Sequence, residues 1–398
     1  MNALDAVLGA FAVAVRSMNN APIAFDARLN AYRMGGIARY TSKLIEHLPL
    51  IAPAEQWLIL DHRTAPPTTT APPNVQHARL WTPPHHRLEQ WTLPLELALR
   101  RPRLLHSPDF IPPFRRACPA VITVHDVAFR LFPAILDAAA RHYYGQIDRA
   151  VRSAEAIIAD SHSTARDLTR LLDVPPERID VIHLGTDIQP LPIAPNETRT
   201  LGGTTWIADG FITFVSTLEP RKNIPMLLQA LRVLVDREPT AGYRLALAGN
   251  RGWQDAEIWQ TLRDLRLGDV VTWIEQPSDD EMRWLLSACR LYVNPSRYEG
   301  FGLPALEALA CGAPAIVADA SSLPEVVGAA AELVPPDDVG AWADAIARLW
   351  HDPDRRAALR ERGFARAAEF TWDRTARQTL AVYTRVLEEV ESRGKRRK

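Results

Sequence analysis

The strongest constraint on the fold of this chain is a recurring short segment that is apolar at almost every position. VITV at 121–124, AIIA at 156–159 and AIVA at 315–318 are examples. Runs this short do not sustain a helix alone. Because their apolar residues are continuous rather than alternating, they suit strands covered on both faces, as in a parallel sheet flanked by helices. Between such runs lie longer segments with apolar residues at helical spacing, including 37–47 and 225–235. Strand followed by helix, repeated, is the pattern of βαβ units.

The rhythm occurs twice. In the first half, 22–27 reads as a strand, Gly35 and Gly36 lead into the 37–47 helix, and 57–60 forms a second strand. Residues 64–74 are rich in Pro and Thr and are expected to be loop. Residues 190–210 hold three prolines, the Gly202-Gly203 pair and several threonines, which reads as a linker. Beyond it, strands are expected at 211–216, 244–248, 270–274, 291–293 and 315–318, with helices at 225–235 and 253–265. A chain of 398 residues is also long enough for two α/β domains. The expected division is a Rossmann-like domain over 18–189, the linker 190–210, and a second Rossmann-like domain over 211–372. A final helix follows at 373–391, with more apolar face than a dangling tail needs. Met18 is a candidate true start, because the first strand begins only at residue 22.

Composition narrows the function classes. A formal net charge of −1 gives no field that would draw the molecule to nucleic acid. Cys118, Cys289 and Cys311 are widely spaced and match no metal or redox pattern, which suits buried thiols in a reducing compartment. No stretch reaches the roughly 20 apolar residues of a membrane span, and the first fifteen residues lack the basic start of a signal peptide. The expected location is cytoplasmic, with a peripheral place at the inner membrane face as the alternative. Five basic residues among the last six suit a frayed, solvated helix end, or else weak peripheral membrane contact.

The most informative stretch is NPSRYEGFGLPALEALACG, residues 294–312. Pro304 suits the first turn of a helix and Gly312 suits its end, so a short helix is expected over 304–311. Gly300 and Gly302 in the preceding loop let backbone approach a ligand, and the helix start offers unpaired N–H groups to an anion. Glu307, one turn inside, is placed to accept from ribose hydroxyls. Glu299, on the loop, is placed to meet a bound sugar. A glycine loop before a helix is a weak signal alone, but two carboxylates flanking an anion site are harder to explain without hydroxyls to read.

A second cluster, STLEPRKN at 216–223, follows a strand and precedes a helix. Arg221 and Lys222 there suit a diphosphate, because cations beside a helix N-terminus are unfavourable unless an anion accompanies them.

Together these two segments resemble the retaining glycosyltransferases of family 4, which have the GT-B architecture of two facing Rossmann-like domains with parallel sheets. Glu299 and Glu307 match that family's E-G-F-G-L-P-x-x-E signature. ALACGAPAIVADASSLPEVVG after it and RKN before it are also similar. The resemblance runs from residue 211 to about 372 and is recognisable from Pro22. It implies that Arg221 and Lys222 bind the donor diphosphate. Backbone around Phe301, Gly302 and Leu303 would hold phosphate and sugar, Glu307 the ribose, and Gly35 and Gly36 would close over the phosphates. His125, in VHD, would meet the donor sugar beside Glu299, these two forming the catalytic pair. The final helix would cross back to the first domain. One departure is Ser216-Thr217, where the family more often has glycine. Asp126 is left to orient His125 or to cap the next segment.

The implied reaction moves a hexose from a nucleotide-diphosphate sugar to a glycan or lipid-linked acceptor, with retention and with no metal or cofactor. GDP-mannose is the first expected donor, from the GGIARY pattern, and UDP-glucose the second. A non-catalytic sugar-nucleotide-binding subunit is the rival from another class. A metal role for His85 and His86, and a hydrolase triad at Ser161-His162-Ser163, lack supporting partners in the sequence.

Overall fold

The computed structural model describes residues 21–32, 35–65, 72–133 and 138–396. The Met18 start therefore lies outside the described residues, as does part of the 64–74 loop. The chain forms two compact units. Of the described residues, the first takes those within 21–130, 138–185 and 372–396, the second those within 131–133 and 186–371.

The first unit contains a seven-stranded parallel sheet. Its strands are β1 (Ile23–Asp26), β2 (Trp57–His62), β3 (Val75–Leu80), β4 (Leu104–Ser107), β5 (Ala120–Val124), β6 (Ala156–Ala159) and β7 (Ile179–Val181), in the order β3-β2-β1-β4-β5-β6-β7. All positions of β4, β5 and β6 are buried, as strands covered on both faces are, although only β5 and β6 are nearly continuous apolar runs. Helices α1 (Gly36–Ile51), α2 (Glu89–Arg100) and α3 (His162–Leu172) belong to this unit. So does the C-terminal helix, Trp372–Arg396, which packs against α1 and buries Trp372, Thr379 and Tyr383. Strands β3, β4 and β7 carry no run long enough to stand out in the sequence.

The second unit holds a six-stranded parallel sheet, β12-β11-β10-β13-β14-β15. The strands are β10 (Ile212–Val215), β11 (Leu245–Ala248), β12 (Val271–Ile274), β13 (Leu291–Asn294), β14 (Ala315–Ala318) and β15 (Ala331–Val334). Helices α4 (Ile224–Arg237) and α5 (Leu303–Ala310) follow β10 and β13. In both sheets the strand order reverses beside the first strand, between β1 and β4 and again between β10 and β13. Loops at the carboxyl ends of such reversals are where open α/β sheets bind ligands.

The expected linker is not plain connection. Within 190–210 the chain forms an antiparallel hairpin, β8 (Thr198–Leu201) with β9 (Thr204–Ile207), and it belongs to the second unit. Gly202 and Gly203 have φ of +59° and +75°, the left-handed pair of a tight hairpin turn. Trp206 is buried, its ring 5.2 Å from Phe211 and its indole N–H donating to the Leu201 carbonyl. The β-branched threonines that looked like linker composition are strand residues. Among the described residues, no helix is long and apolar enough to cross a membrane.

Candidate active site

Register pairs Ile212 with Leu291, so the loops leaving β10 and β13 start side by side. The first contains a single 3-10 turn, Pro220–Lys222, closed by Asn223 in the left-handed region at φ +58°. The Asn223 amide donates to the Pro336 carbonyl at 2.6 Å and holds that backbone in place. A backbone bond from Arg297 to the Arg221 carbonyl ties the two loops together.

Between them sits a buried ionic cluster. Lys222 Nζ lies 2.7 and 2.8 Å from the two carboxylate oxygens of Glu299. Arg221 donates to Glu299 Oε2 at 3.2 Å, to the Tyr298 carbonyl at 3.0 Å, and through Nε to Glu219 at 2.8 Å. The Ser296 hydroxyl is 2.9 Å from Glu299 Oε1. Main-chain groups of Glu299 are held in turn: its N–H donates to Ser321, and its carbonyl accepts from the Ser321 and Ser322 hydroxyls. The Glu299 carboxylate is thus an anionic partner of both Arg221 and Lys222, a contact between the two motifs that the sequence does not announce.

Burial alone would raise the Glu299 pKa. The charges of Lys222 and Arg221, with hydrogen bonds from Lys222 and Ser296, reverse that and hold it at about 2. Lys222 is shifted down by burial and by the charge of Arg221, against the opposing pull of Glu299.

Helix α5 starts one residue before the expected position. Gly302 caps it at φ +95°, and a Cβ there would meet Leu323 Cδ2 at 2.8 Å, so both backbone and space call for glycine. Leu303 and Pro304 form the first turn. Phe301 is buried with its ring edge-on to Phe370 at 5.9 Å, and Glu307 is buried on α5. The start of α5 and the Glu299 cluster thus share one loop. At Ser216-Thr217, where glycine was absent, the close approach is made by the neighbouring loop. Gly249, at φ +140°, would place a Cβ 2.0 Å from the Ser216 carbonyl oxygen.

In the first unit, Gly35 and Gly36 open α1 and are exposed, and neither has an atom within 4 Å of where a Cβ would lie. Tyr40, on the first turns of α1, packs edge-on against the His125 ring at 4.9 Å. His125 follows β5, and its Nδ1 lies 2.6 Å from Asp160 Oδ2 at the end of β6. Asp160, not Asp126, orients the ring. Asp126 accepts from the Ala128 N–H and caps the short segment after it. Asp160 carries its own signal, a carboxylate directly after an all-apolar strand. Nothing in the sequence states that this strand lies beside β5. Among the described residues, His125 Nε2 is buried with no hydrogen-bond partner, leaving one polar atom of the ring to be satisfied. Burial would lower the His125 pKa, but Asp160, then Asp109 and Asp126, raise it above the ordinary value.

Behind Tyr40 runs a buried polar chain. Its hydroxyl is 2.9 Å from Thr123 Oγ1, Thr123 is 2.8 Å from His106 Nε2, and His106 Nδ1 meets the Tyr383 hydroxyl of the C-terminal helix. Burial pushes His106 down to about 3 and keeps it neutral. Ser161 caps α3 by accepting from the Thr164 N–H, a structural role in place of a nucleophile's. His85, for which the sequence offered no carboxylate, is met by Asp109 and stacks on Tyr143 at 3.8 Å.

Two doubly wound parallel sheets, with cations, carboxylates and a glycine-capped helix at the carboxyl ends of their strands, define the GT-B class of nucleotide-sugar enzymes. A family model described as "Glycosyltransferase Family 4" matches residues 34–190, and one described as "Glycosyl transferases group 1" matches 208–366. The O-antigen chain mannosyltransferase B of Escherichia coli is 33% identical over 303 residues, 75% of this chain and 77% of that one. An MMP alpha-(1->4)-mannosyltransferase of Mycolicibacterium hassiacum is 32% identical over 258 residues, 63% of this chain and 59% of that one. Among solved structures, a sucrose-phosphate synthase from Thermosynechococcus elongatus aligns over 92% of this chain and 99% of its own, with TM-score 0.73 and 21% identity. HepE of Anabaena in complex with UDP-glucose covers 91% and 99%, at TM-score 0.65 and 18% identity. The chain belongs to the family 4 glycosyltransferases and is a glycosyltransferase of GT-B fold.

Proposed function

We propose that the enzyme is a retaining, metal-independent hexosyltransferase that takes mannose from GDP-mannose and delivers it to a hydroxyl of a glycan or lipid-linked acceptor. The observation that carries this reading is the Lys222–Glu299–Arg221 cluster, built beside the start of α5 at the strand-order reversal. Negative charge grows on the diphosphate as it leaves. Lys222 and Arg221, with the N–H groups at the start of α5, are preorganised to stabilise it. Glu299 fixes the ammonium in position and supplies negative charge near the developing cation at the anomeric carbon. Glu307 accepts from ribose hydroxyls, and Phe301, Gly302 and Leu303 supply backbone to phosphate and sugar. Gly35 and Gly36 supply backbone to the phosphates as well. His125 offers Nε2 to the donor sugar, with Asp160 setting its orientation.

The choice of mannose rests on the similarity to the two mannosyltransferases and on the GGIARY segment. UDP-glucose is the second donor reading. The test is transfer from GDP-[¹³C]mannose and UDP-[¹³C]glucose, in the presence of EDTA, followed by NMR of the fresh product. An α-linked product from the α-linked GDP-mannose donor is expected. A β linkage would overturn retention, loss of activity in EDTA would overturn metal independence, and transfer of glucose alone would overturn the donor assignment.

A further inference from the structure

The buried side of the C-terminal helix is not apolar throughout. Thr375, Thr379 and Tyr383 recur at helical spacing on one face, and all three are buried. Thr379 and Tyr383 meet the buried hydroxyls of Tyr40 and Thr123 and the buried imidazole of His106, polar groups that are costly out of water unless each is paired. The Tyr40 hydroxyl bonds Thr379 as well as Thr123, and that contact fixes every donor in the chain. Thr379 donates its own proton to the Thr375 carbonyl at 2.8 Å, so it accepts from Tyr40. Tyr40 then accepts from Thr123, and Thr123 accepts from His106 Nε2–H. His106 Nδ1, unprotonated on the neutral ring, accepts from Tyr383. The chain starts and ends on the C-terminal helix with every member satisfied. A helix displaced along its axis would leave several of these groups unpaired, so the chain selects a single seating of the helix on α1.

What that seating holds is Tyr40. Its ring is enclosed by Trp372 at 6.5 Å, by His106 at 6.3 Å and by His125 at 4.9 Å, the two histidines edge-on. His125 is thus gripped twice, by Asp160 at Nδ1 and by the Tyr40 ring against its face or edge. We infer that Tyr40, Thr123, His106 and Tyr383 are positioning residues, through which the C-terminal helix aims the His125 ring. Their part in the reaction rests on the reading of His125 at the donor sugar.

The experiment uses the full chain labelled with [¹⁵N]histidine. NMR of the imidazole nitrogens is set beside transfer from GDP-mannose and UDP-glucose and calorimetry with GDP and UDP. In the wild type His106 should carry its proton on Nε2; a proton on Nδ1 would reverse the chain and overturn the inference. Tyr383→Phe keeps the ring and removes the first donor. It should shift the His125 signals and lower kcat roughly ten-fold, with nucleoside diphosphate affinity unchanged. Thr379→Val opens the chain at its other end and should do the same. Val386→Ala loosens the same helix outside the chain, and should lower the melting temperature while leaving kcat and the His125 signals as they are. Unmoved His125 signals in the two chain variants overturn the inference. So does an equal loss of kcat in Val386→Ala, because any loosening of the helix would then suffice. Moved signals with unchanged kcat uphold the positioning of the ring and count instead against His125 acting at the sugar.

Discussion

Lys222 Nζ lies within 2.8 Å of both carboxylate oxygens of Glu299, and both side chains are buried. Removing Glu299 alone leaves the buried Lys222 ammonium uncompensated, whereas removing Lys222 alone leaves Glu299 with Arg221 at 3.2 Å. Glu299→Ala should therefore lose about 3–5 kcal/mol of stability in denaturant unfolding, and Lys222→Ala less. Lys222→Met/Glu299→Gln should recover most of that stability without recovering affinity for a nucleoside diphosphate. Calorimetry with GDP and UDP separates the two effects. Full affinity in the double variant would remove this pair from the donor site.

The same pair makes stability depend on acid. The Glu299 pKa is depressed to about 2 in the folded protein, from an ordinary value of 4.5. Its contribution is present above pH 4.5 and is lost progressively as the pH falls toward 2. Denaturant midpoints should fall more steeply across this window in the wild type than in Glu299→Gln. Parallel curves would show that the carboxylate is not held ionised by the cluster.

His125 has the opposite sign. Its folded pKa is raised above 6.5, so the His125–Asp160 pair stabilises the fold below that pH and loses its contribution as pH rises through the folded value. In Asp160→Asn, burial is left less opposed and the His125 pKa should drop, an outcome visible by NMR of the imidazole. Because ring orientation is lost as well, turnover should fall more than donor affinity. A variant with unchanged His125 titration would mean that Asp109 and Asp126 dominate.

Two glycines should separate folding from binding. Gly249→Ala puts a methyl into the Ser216 carbonyl at a left-handed φ and should cost more than about 3 kcal/mol, displacing the loop that carries Arg221 and Lys222. Gly35→Ala meets nothing within 4 Å, and its backbone is extended, so its melting temperature should hold. If donor phosphates approach the backbone there, only nucleotide-sugar affinity falls. An unchanged affinity would take Gly35 out of the site.

The α/β rhythm was legible in the sequence because its signals are local. AIIA and AIVA announce buried strands, and Pro304 and Gly302 mark the start of α5, since each acts through its own backbone or its near neighbours. The same locality exposed Arg221 and Lys222 beside a helix start, as cations needing an anion. That Glu299 meets them was not legible. Glu299 is 77 residues from Lys222, and they meet only because β10 and β13 are neighbours in the sheet. Asp160 likewise reaches His125 through the pairing of β5 with β6, while the adjacent Asp126 turns to its own backbone. The hairpin within 198–207 was hidden for a related reason. Threonine, proline and glycine suit a linker and a tight turn equally, and only the packing of Trp206 on Phe211 distinguishes them. On α2, helical spacing places leucines on two sides. Which side meets the sheet and which meets solvent was decided by the tertiary structure, because periodicity fixes the angle between two faces and carries no information about what lies against either.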